Sequence, residues 1–250
     1  MRSLAHGSLL SVRRLLVLAA LAAVVGVTGA SAQAPPRVCE GLTICSPVAG
    51  PWVVVPAPVP PARVGTAVWL LGCPDGFVGG LDARVANPWV QVRFPGLMGS
   101  PVNPGITTRR DTVFLATSVG LPGHTSSFIP FIGCIPAEGG PRTPTGVGRV
   151  ARPEQLGTGP IIRIVRPVEV RRRRVRAGLA CQKGQRLVDW TASMGIYTAL
   201  HPTPRQLAKV HLTTELIKEH VWITATRSDL ARTIPVQVQI HVLCTGKFPT

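Results

Sequence analysis

A dense run of arginines is the strongest chemical feature of this sequence. Seven arginines and a single acid, Glu169, fall within the 14 residues from 163 to 176. Guanidinium groups bind phosphate and carboxylate polymers because each one offers a planar pair of donors to an anion. Blocks of like charge also commonly stay solvated without a partner, so an exposed hairpin tip is the competing interpretation. The candidate anion-binding residues are Arg171, Arg172, Arg173, Arg174 and Arg176.

The expected partner of these arginines is an anionic cell-wall polymer or anionic lipid headgroups, which an exported protein would meet first. Proteins that bind single-stranded nucleic acid interleave basic residues with stacking aromatic side chains. No Phe, Trp or Tyr occurs between residues 141 and 189. We therefore expect no binding of nucleic acid.

One segment could hold a metal ion if it were helical. His211, Glu215 and Glu219 would then share one face at spacings of four residues, next to His220. Their order differs from the His-Glu-x-x-His pattern of zinc peptidases, and a hairpin here would abolish the shared face. The periodicity of residues 206–220 fits both helix and strand, and the internal repeat described below favours strand. We expect neither a metal site nor a cofactor.

A nucleophilic serine is the other catalytic possibility. The stretch from Thr191 to Gly195, centred on Ser193, differs from the Gly-x-Ser-x-Gly elbow at its first residue and lacks a strand-to-helix context. We therefore predict a non-catalytic structural or binding protein. The alternatives are a secreted envelope hydrolase anchored on Ser193 or near His211, and an inhibitor or adhesin that uses the loop from Phe94 to Asp111.

An export signal is predicted over residues 1–32. Three arginines precede an apolar run from Leu15 to Val27, and small residues then lead to a cleavage site after Ala32. The run has about 13 residues, whereas a membrane-spanning helix needs about 20. Sec and Tat export both remain open. Cleavage lowers the net charge from +16 to +13, and we expect the mature protein to be secreted, in the envelope or extracellular space, without a transmembrane segment.

Six cysteines, all beyond the predicted signal, indicate a disulfide framework. An internal repeat narrows the possible connectivities. Cys73 and Cys134 are 61 residues apart, Cys181 and Cys244 are 63 apart, and the sequences that flank the two pairs are similar. We predict that each of these pairs forms a disulfide and that Cys39 pairs with Cys45 in a small local loop.

Strand periodicity fills both repeat units. Along residues 236–244 apolar residues alternate with polar ones, which predicts an antiparallel strand with Cys244 in the core. The polar side chains of this strand are expected to lie on the opposite, solvent-facing side; they are Gln237, Gln239 and His241. The apolar parity reverses between residues 162–170 and 175–181, which predicts a hairpin tip across Arg171 to Arg174.

The stretch that opens at Cys73 resembles a known group of domains. Cys73, Pro74, Asp75 and Gly76, followed by Gly79 and Gly80, is similar to the opening of small secreted β-domains common in actinobacteria, which close with an apolar strand ending in Cys. The resemblance covers about residues 63–136 and, more weakly, 161–245, so the chain looks like a tandem form of these domains. It implies the fold and export, and it lends no catalytic residue.

The predicted fold is all-β, with two tandem disulfide-stapled antiparallel β-sandwich-like (Ig-like) domains after a cleaved signal peptide. The 26 Gly and 25 Pro of the chain argue against long helices. The predicted order is a signal peptide at 1–32, a Pro-rich segment with a small disulfide loop at 33–62, a first domain at 63–137, a Gly- and Pro-rich linker at 138–160 and a second domain at 161–250.

Overall fold

The computed structural model describes residues 37–58, 64–94, 110–119, 124–136, 155–156, 161–228 and 234–245. The predicted signal peptide, most of the predicted linker and the loop residues 95–109 lie outside these ranges. Within the described ranges, no helix is long and apolar enough to cross a membrane.

The described chain is all-β, as predicted. Its strands are β1 (Ser46–Ala49), β2 (Trp52–Val55), β3 (Gly65–Gly72), β4 (Phe77–Val85), β5 (Val90–Arg93), β6 (Asp111–Ser118), β7 (Ser126–Ile135), β8 (Gln155–Leu156), β9 (Ile161–Glu169), β10 (Arg174–Ala180), β11 (Arg186–Ile196), β12 (Val210–Ile217), β13 (His220–Arg227) and β14 (Val236–Thr245). A short 3-10 helix, Arg37–Cys39, precedes them, and one α-helical turn, α1 (Pro204–Leu207), lies before β12. Residues 210–217 therefore form a strand, as the repeat favoured.

The strands form three antiparallel sheets. The large sheet has the order β1-β7-β2-β11-β14-β9-β8, with β4 also paired to β7. The first small sheet has the order β3-β6-β5, and the second small sheet has the order β10-β13-β12. Each small sheet thus draws its strands from one predicted repeat unit, and the large sheet draws on both.

Each predicted repeat unit contains its own disulfide, as predicted. Cys73 is bonded to Cys134 and Cys181 to Cys244, while Cys39 and Cys45 close the small loop. By the chain-entropy model, closing a loop of about 60 residues restricts the unfolded chain by roughly 4 kcal/mol. The cross-links therefore favour the folded state of each unit separately.

The turns that follow Cys73 and Cys181 are alike. Gly76 has a φ of 84° and Gly184 a φ of 87°, and each glycine lies three residues after its cysteine. These φ values belong to the left-handed region, where a side chain is strained. The glycines thus permit the sharp reversal from β3 into β4 and from β10 into β11.

The two predicted domains are joined in one sheet through β2, which lies in the predicted Pro-rich segment and pairs with β7 of the first domain and β11 of the second. Trp52 of β2 pairs with Ile196 of β11, and Val53 pairs with Gly195. Gly195 is needed at this junction because a Cβ there would lie 2.8 Å from the ring of Trp69 and would also collide with Pro51. Backbone pairing and close packing therefore join the two halves.

The polar face of β14 is buried, so its predicted exposure to solvent is wrong. Gln237 is 5 % exposed, and Gln239 and His241 are each 1 % exposed. The first small sheet covers this face, where Val68 and Leu70 pack with Val165 of β9. The alternation along β14 was predicted correctly, but the polar face of the strand packs against a second sheet and is not exposed to water.

Side chains of the large sheet complete the hydrogen bonding of strand β3. The Leu70 N–H donates to Oε1 of Gln239 at 2.7 Å, and Nε2 of Gln239 donates to the Leu70 carbonyl at 2.8 Å. Oγ of Ser193 accepts a bond from the Val68 N–H at 2.8 Å. Because β3 is an edge strand, these side chains take the place of a neighbouring strand.

Replacing Gln239 by Leu should lower the free energy of unfolding by about 3 kcal/mol, because the buried N–H and carbonyl of Leu70 lose both partners. Denaturant unfolding of the oxidised protein measures this loss. The matched control is Gln91→Leu at an exposed position of β5, which should change the value by less than about 0.5 kcal/mol. Equal effects of the two changes would show that the bonds to Leu70 do not hold β3 in place.

Candidate functional site

The arginine run forms a corner between two sheets, so the predicted hairpin tip is wrong. β9 pairs with β14 and β8, whereas β10 pairs with β13, and residues 170–173 carry the chain from the large sheet to the second small sheet. A reversal of apolar parity accompanies such a change of sheet just as it accompanies a hairpin turn. The sequence pattern therefore located the break correctly but not its geometry.

Arg227 of β13 holds the backbone of the corner through two hydrogen bonds. Its backbone N–H donates to the Arg173 carbonyl at 2.9 Å, and its guanidinium Nη1 donates to the Val170 carbonyl at 3.1 Å. Arg171 donates to Glu169 at 2.6 Å, with 83 % of the arginine side chain exposed. The backbone of the corner is thus fixed while its arginine side chains reach into solvent.

The five candidate anion-binding arginines are all exposed. The two other arginines of the run lie on β9 and have different surroundings. Nη1 of Arg166 donates to the Gly178 carbonyl at 2.6 Å. Arg163 is half-buried, and desolvation lowers its pKa although Asp189 opposes the shift. Arg163 is therefore the half-buried arginine of the run, whereas Arg166 is exposed but bonded to the backbone of β10, and the five candidates at the corner and on β10 are exposed.

Two of the exposed arginines belong to the outer face of the second small sheet. Arg174 and Arg176 alternate with inward-facing residues along β10, and β13 and β12 supply the rest of the face. The cross-strand sets, in the order β10, β13, β12, are Arg174, Thr226 and His211; Arg176, Thr224 and Thr213; and Gly178, Trp222 and Glu215.

Arg176 is held in a stack on this face. Its guanidinium carbon lies 4.9 Å from the centroid of the Trp222 ring. The His220 ring also stacks on Trp222, with centroids 4.6 Å apart and planes inclined by 16°. Gly178 makes room for both rings, since a Cβ there would collide with His220 and lie 2.9 Å from Trp222.

The stacked guanidinium remains available to a ligand. Nη2 of Arg176 lies 3.9 Å from Oε2 of Glu215, and 58 % of the arginine side chain is exposed. An exposed pair at this distance is weak. Cation–π stacking fixes the plane of a guanidinium and leaves its edge donors free to bind an anion.

Trp222 was missed by sequence reasoning because it lies far along the chain from the arginine run. The expectation that nucleic acid is not bound used the lack of aromatic residues between 141 and 189. The fold supplies an aromatic ring beside Arg176 from β13, so that argument does not hold. The alternation of His220, Trp222, Thr224 and Thr226 along one face of β13 is the signal that points to this surface.

The residues considered for a metal site lie on a β-hairpin, so the helical face does not exist. His211 and Glu215 are on β12, Glu219 is in the turn, and His220 begins β13. Among the described residues, no group of three or more His, Cys, Asp or Glu side chains is arranged to hold a metal ion.

The serine considered as a nucleophile is a structural residue. Ser193 is 2 % exposed, and its Oγ accepts the Val68 N–H. A second serine is close to a histidine, with Oγ of Ser127 3.0 Å from Nε2 of His201. Ser127 is fully buried, so a substrate could not reach its hydroxyl without local opening. Neither serine lies in an open cleft, where a catalytic nucleophile would have to be to meet its substrate.

His241 is fully buried behind β3 and neutral. The two bonds to Leu70 fix the orientation of the Gln239 amide, so Oε1 faces Nε2 of His241 at 3.2 Å. An amide oxygen only accepts, which places the imidazole proton on Nε2 and leaves Nδ1, which has no partner among the described residues, unprotonated. Desolvation, followed by the charge of Arg163, lowers the pKa of His241 to about 3.

Comparison with known proteins finds no matching family model, no matching curated protein and no matching solved structure.

The stability of the fold should fall as the pH is lowered from about 6.5 towards 3. The unfolded chain protonates His241 near 6.5, whereas the folded chain resists protonation until about 3. The unfolded state therefore binds more protons in this window, and protonation favours unfolding.

His241→Gln should flatten this part of the stability profile, because it removes the buried imidazole and keeps a donor for Gln239. Denaturant unfolding at a series of pH values measures the slope. His124→Gln, at an exposed histidine, is the control and should leave the slope unchanged. A profile that His241→Gln does not alter would contradict the assignment.

Proposed function

We propose that this chain is a secreted, non-catalytic binding protein of the cell envelope or extracellular space. Its ligand-binding element is the anion-binding face, which we define as Arg171, Arg172, Arg173, Arg174, Arg176 and Trp222. Its ligand is an anionic polymer of the cell wall. The stacking of the exposed Arg176 guanidinium on Trp222 is the observation that carries the proposal.

The arrangement of charge supports a polymeric ligand. Arg174 and Arg176 lie two residues apart on one strand, which spaces their side chains by about 7 Å along the face. The corner arginines continue the positive charge beyond the end of β10. A chain of repeating anionic groups can engage several such guanidinium groups at once, whereas a single small anion cannot.

Export supports the choice of partner. Three disulfides are typical of proteins that fold in an oxidising compartment. We infer that residues 1–32 are removed as a signal peptide and that the two halves arose by duplication of a small secreted sandwich domain, of the kind that the Cys73 motif resembles in actinobacteria. A protein released there meets carboxylate and phosphate polymers of the envelope.

Binding of the mature protein to a carboxylated polysaccharide should weaken steeply with salt. The slope of log affinity against log salt should shrink by roughly one for each contacting arginine that is removed. Titration of fluorescently labelled polymer, over a series of salt concentrations, measures the slope for the wild type and for a variant with Arg171 to Arg174 changed to Ser.

The matched control changes four exposed arginines that lie elsewhere to Ser, with the same loss of charge: Arg37, Arg110, Arg186 and Arg205. This control should retain most of the wild-type slope. If both variants lose the slope equally, binding follows net charge and the face is not the site. Much tighter binding to a single-stranded oligonucleotide than to the polysaccharide would overturn the choice of ligand.

A further inference from the structure

Edge strands expose unpaired backbone groups, and several edges of this fold are covered. Side chains of Ser193 and Gln239 satisfy β3. The Val38 carbonyl of the 3-10 helix lies against Gly80 of β4, and β8 pairs with β9. Such covers prevent unwanted pairing between chains.

The remaining edges of the small sheets differ in length and cover. β5 has only four residues. β10 is bound at the Gly178 carbonyl by Arg166. β12 has eight residues and, in the part of the chain that the structure describes, pairs only with β13. It is also a markedly exposed strand, with Leu216 at 49 % and Ile217 at 39 % exposure.

The turn of the hairpin shows which backbone groups of β12 are unpaired. A two-residue turn, Lys218 and Glu219, both with positive φ, joins Ile217 to its partner His220. In such a hairpin the flanking residues are hydrogen-bonded to each other. At the other end of the hairpin, Ser228 donates to the Lys209 carbonyl. Lys209 is odd-numbered like Ile217, so both ends indicate that the odd-numbered residues bond to β13.

Odd-numbered residues of β12 therefore bond to β13, and even-numbered residues point to the open edge. Val210, at the start of the strand, is buried, which leaves the outward N–H and carbonyl groups of Leu212, Thr214 and Leu216 at the open edge. They are spaced evenly about Thr214, so the edge is complementary to itself when a second strand runs antiparallel to it.

We propose that β12 pairs with β12 of a second copy of this chain, antiparallel and centred on Thr214. Leu212 then lies opposite Leu216 of the second copy, and Thr214 lies opposite Thr214. All the outward groups of these residues find partners in this register.

The pairing would join the second small sheet of one copy to that of the other, which gives one six-stranded sheet. It would cover the exposed Leu216 and place two anion-binding faces side by side. The net charge of each copy opposes association, so pairing should strengthen as salt screens the repulsion. Loss of anion binding would not affect this proposal, because β12 contributes no residue to the anion-binding face.

Hydrogen exchange of the Leu212, Thr214 and Leu216 amides, measured with sedimentation from about 1 μM to about 1 mM protein, tests the proposal. We expect a dimer at high concentration and protection of these amides that disappears on dilution. The Thr213 and Glu215 amides should stay protected throughout, because they bond to β13 within one copy.

Thr214→Pro removes an outward N–H without removing a bond to β13, so the variant should remain monomeric and folded. Thr214→Val keeps the N–H and should still dimerise. A wild-type monomer with unprotected Leu212, Thr214 and Leu216 amides at every concentration would overturn the proposal. Protection that does not change on dilution would also overturn it, since another segment of the same chain would then cover the edge.

Discussion

The double hydrogen bond between the Gln239 amide and the Leu70 backbone is the contact on which the two halves depend. An edge strand that is buried must have its N–H and carbonyl groups satisfied, because no water reaches them. β3 is such a strand, and its partners come from β11 and β14 of the other half. The first half therefore cannot bury β3 by itself, which explains why two units with separate disulfides share one large sheet.

The features that sequence reasoning predicted are those that leave a pattern in the sequence itself, either alternation along one strand or a spacing that occurs twice. Alternation with a period of two located β14, and the paired cysteine spacings gave two of the disulfides and left Cys39 and Cys45 for the third. Which element covers each face of a strand is a long-range property that alternation does not encode. Gln239 and His241 therefore read as solvent-facing, although a second sheet buries them. The corner at Arg171 to Arg174 read as a hairpin for the same reason, since a change of sheet produces the same parity shift.

The candidate site likewise has a part that the sequence pattern predicts and a part that only the fold brings in. Its arginines are contiguous and were visible as a run, whereas Trp222 reaches Arg176 only through the register between β10 and β13. That register also sets Gly178 directly opposite Trp222. A glycine within a strand often marks a close approach by another group. Gly178 was thus a sequence signal, but only the pairing of β10 with β13 identifies the group that approaches it.

The outer faces of the two small sheets differ because, among the residues that the structure describes, one face is covered and the other is not. Counted back from Cys73 and Cys181, Val68 corresponds to Arg176 and Leu70 corresponds to Gly178. On the covered sheet these positions are apolar and pack against the large sheet. On the uncovered sheet the same positions are Arg176 and Gly178, and the glycine leaves room for the Trp222 ring on which Arg176 stacks. The carbonyl at the second position accepts a side-chain donor in both sheets, Gln239 in one and Arg166 in the other. The same strand position is therefore bonded alike in both sheets, and only the exposed copy is free to carry charge, which is why we place the function there.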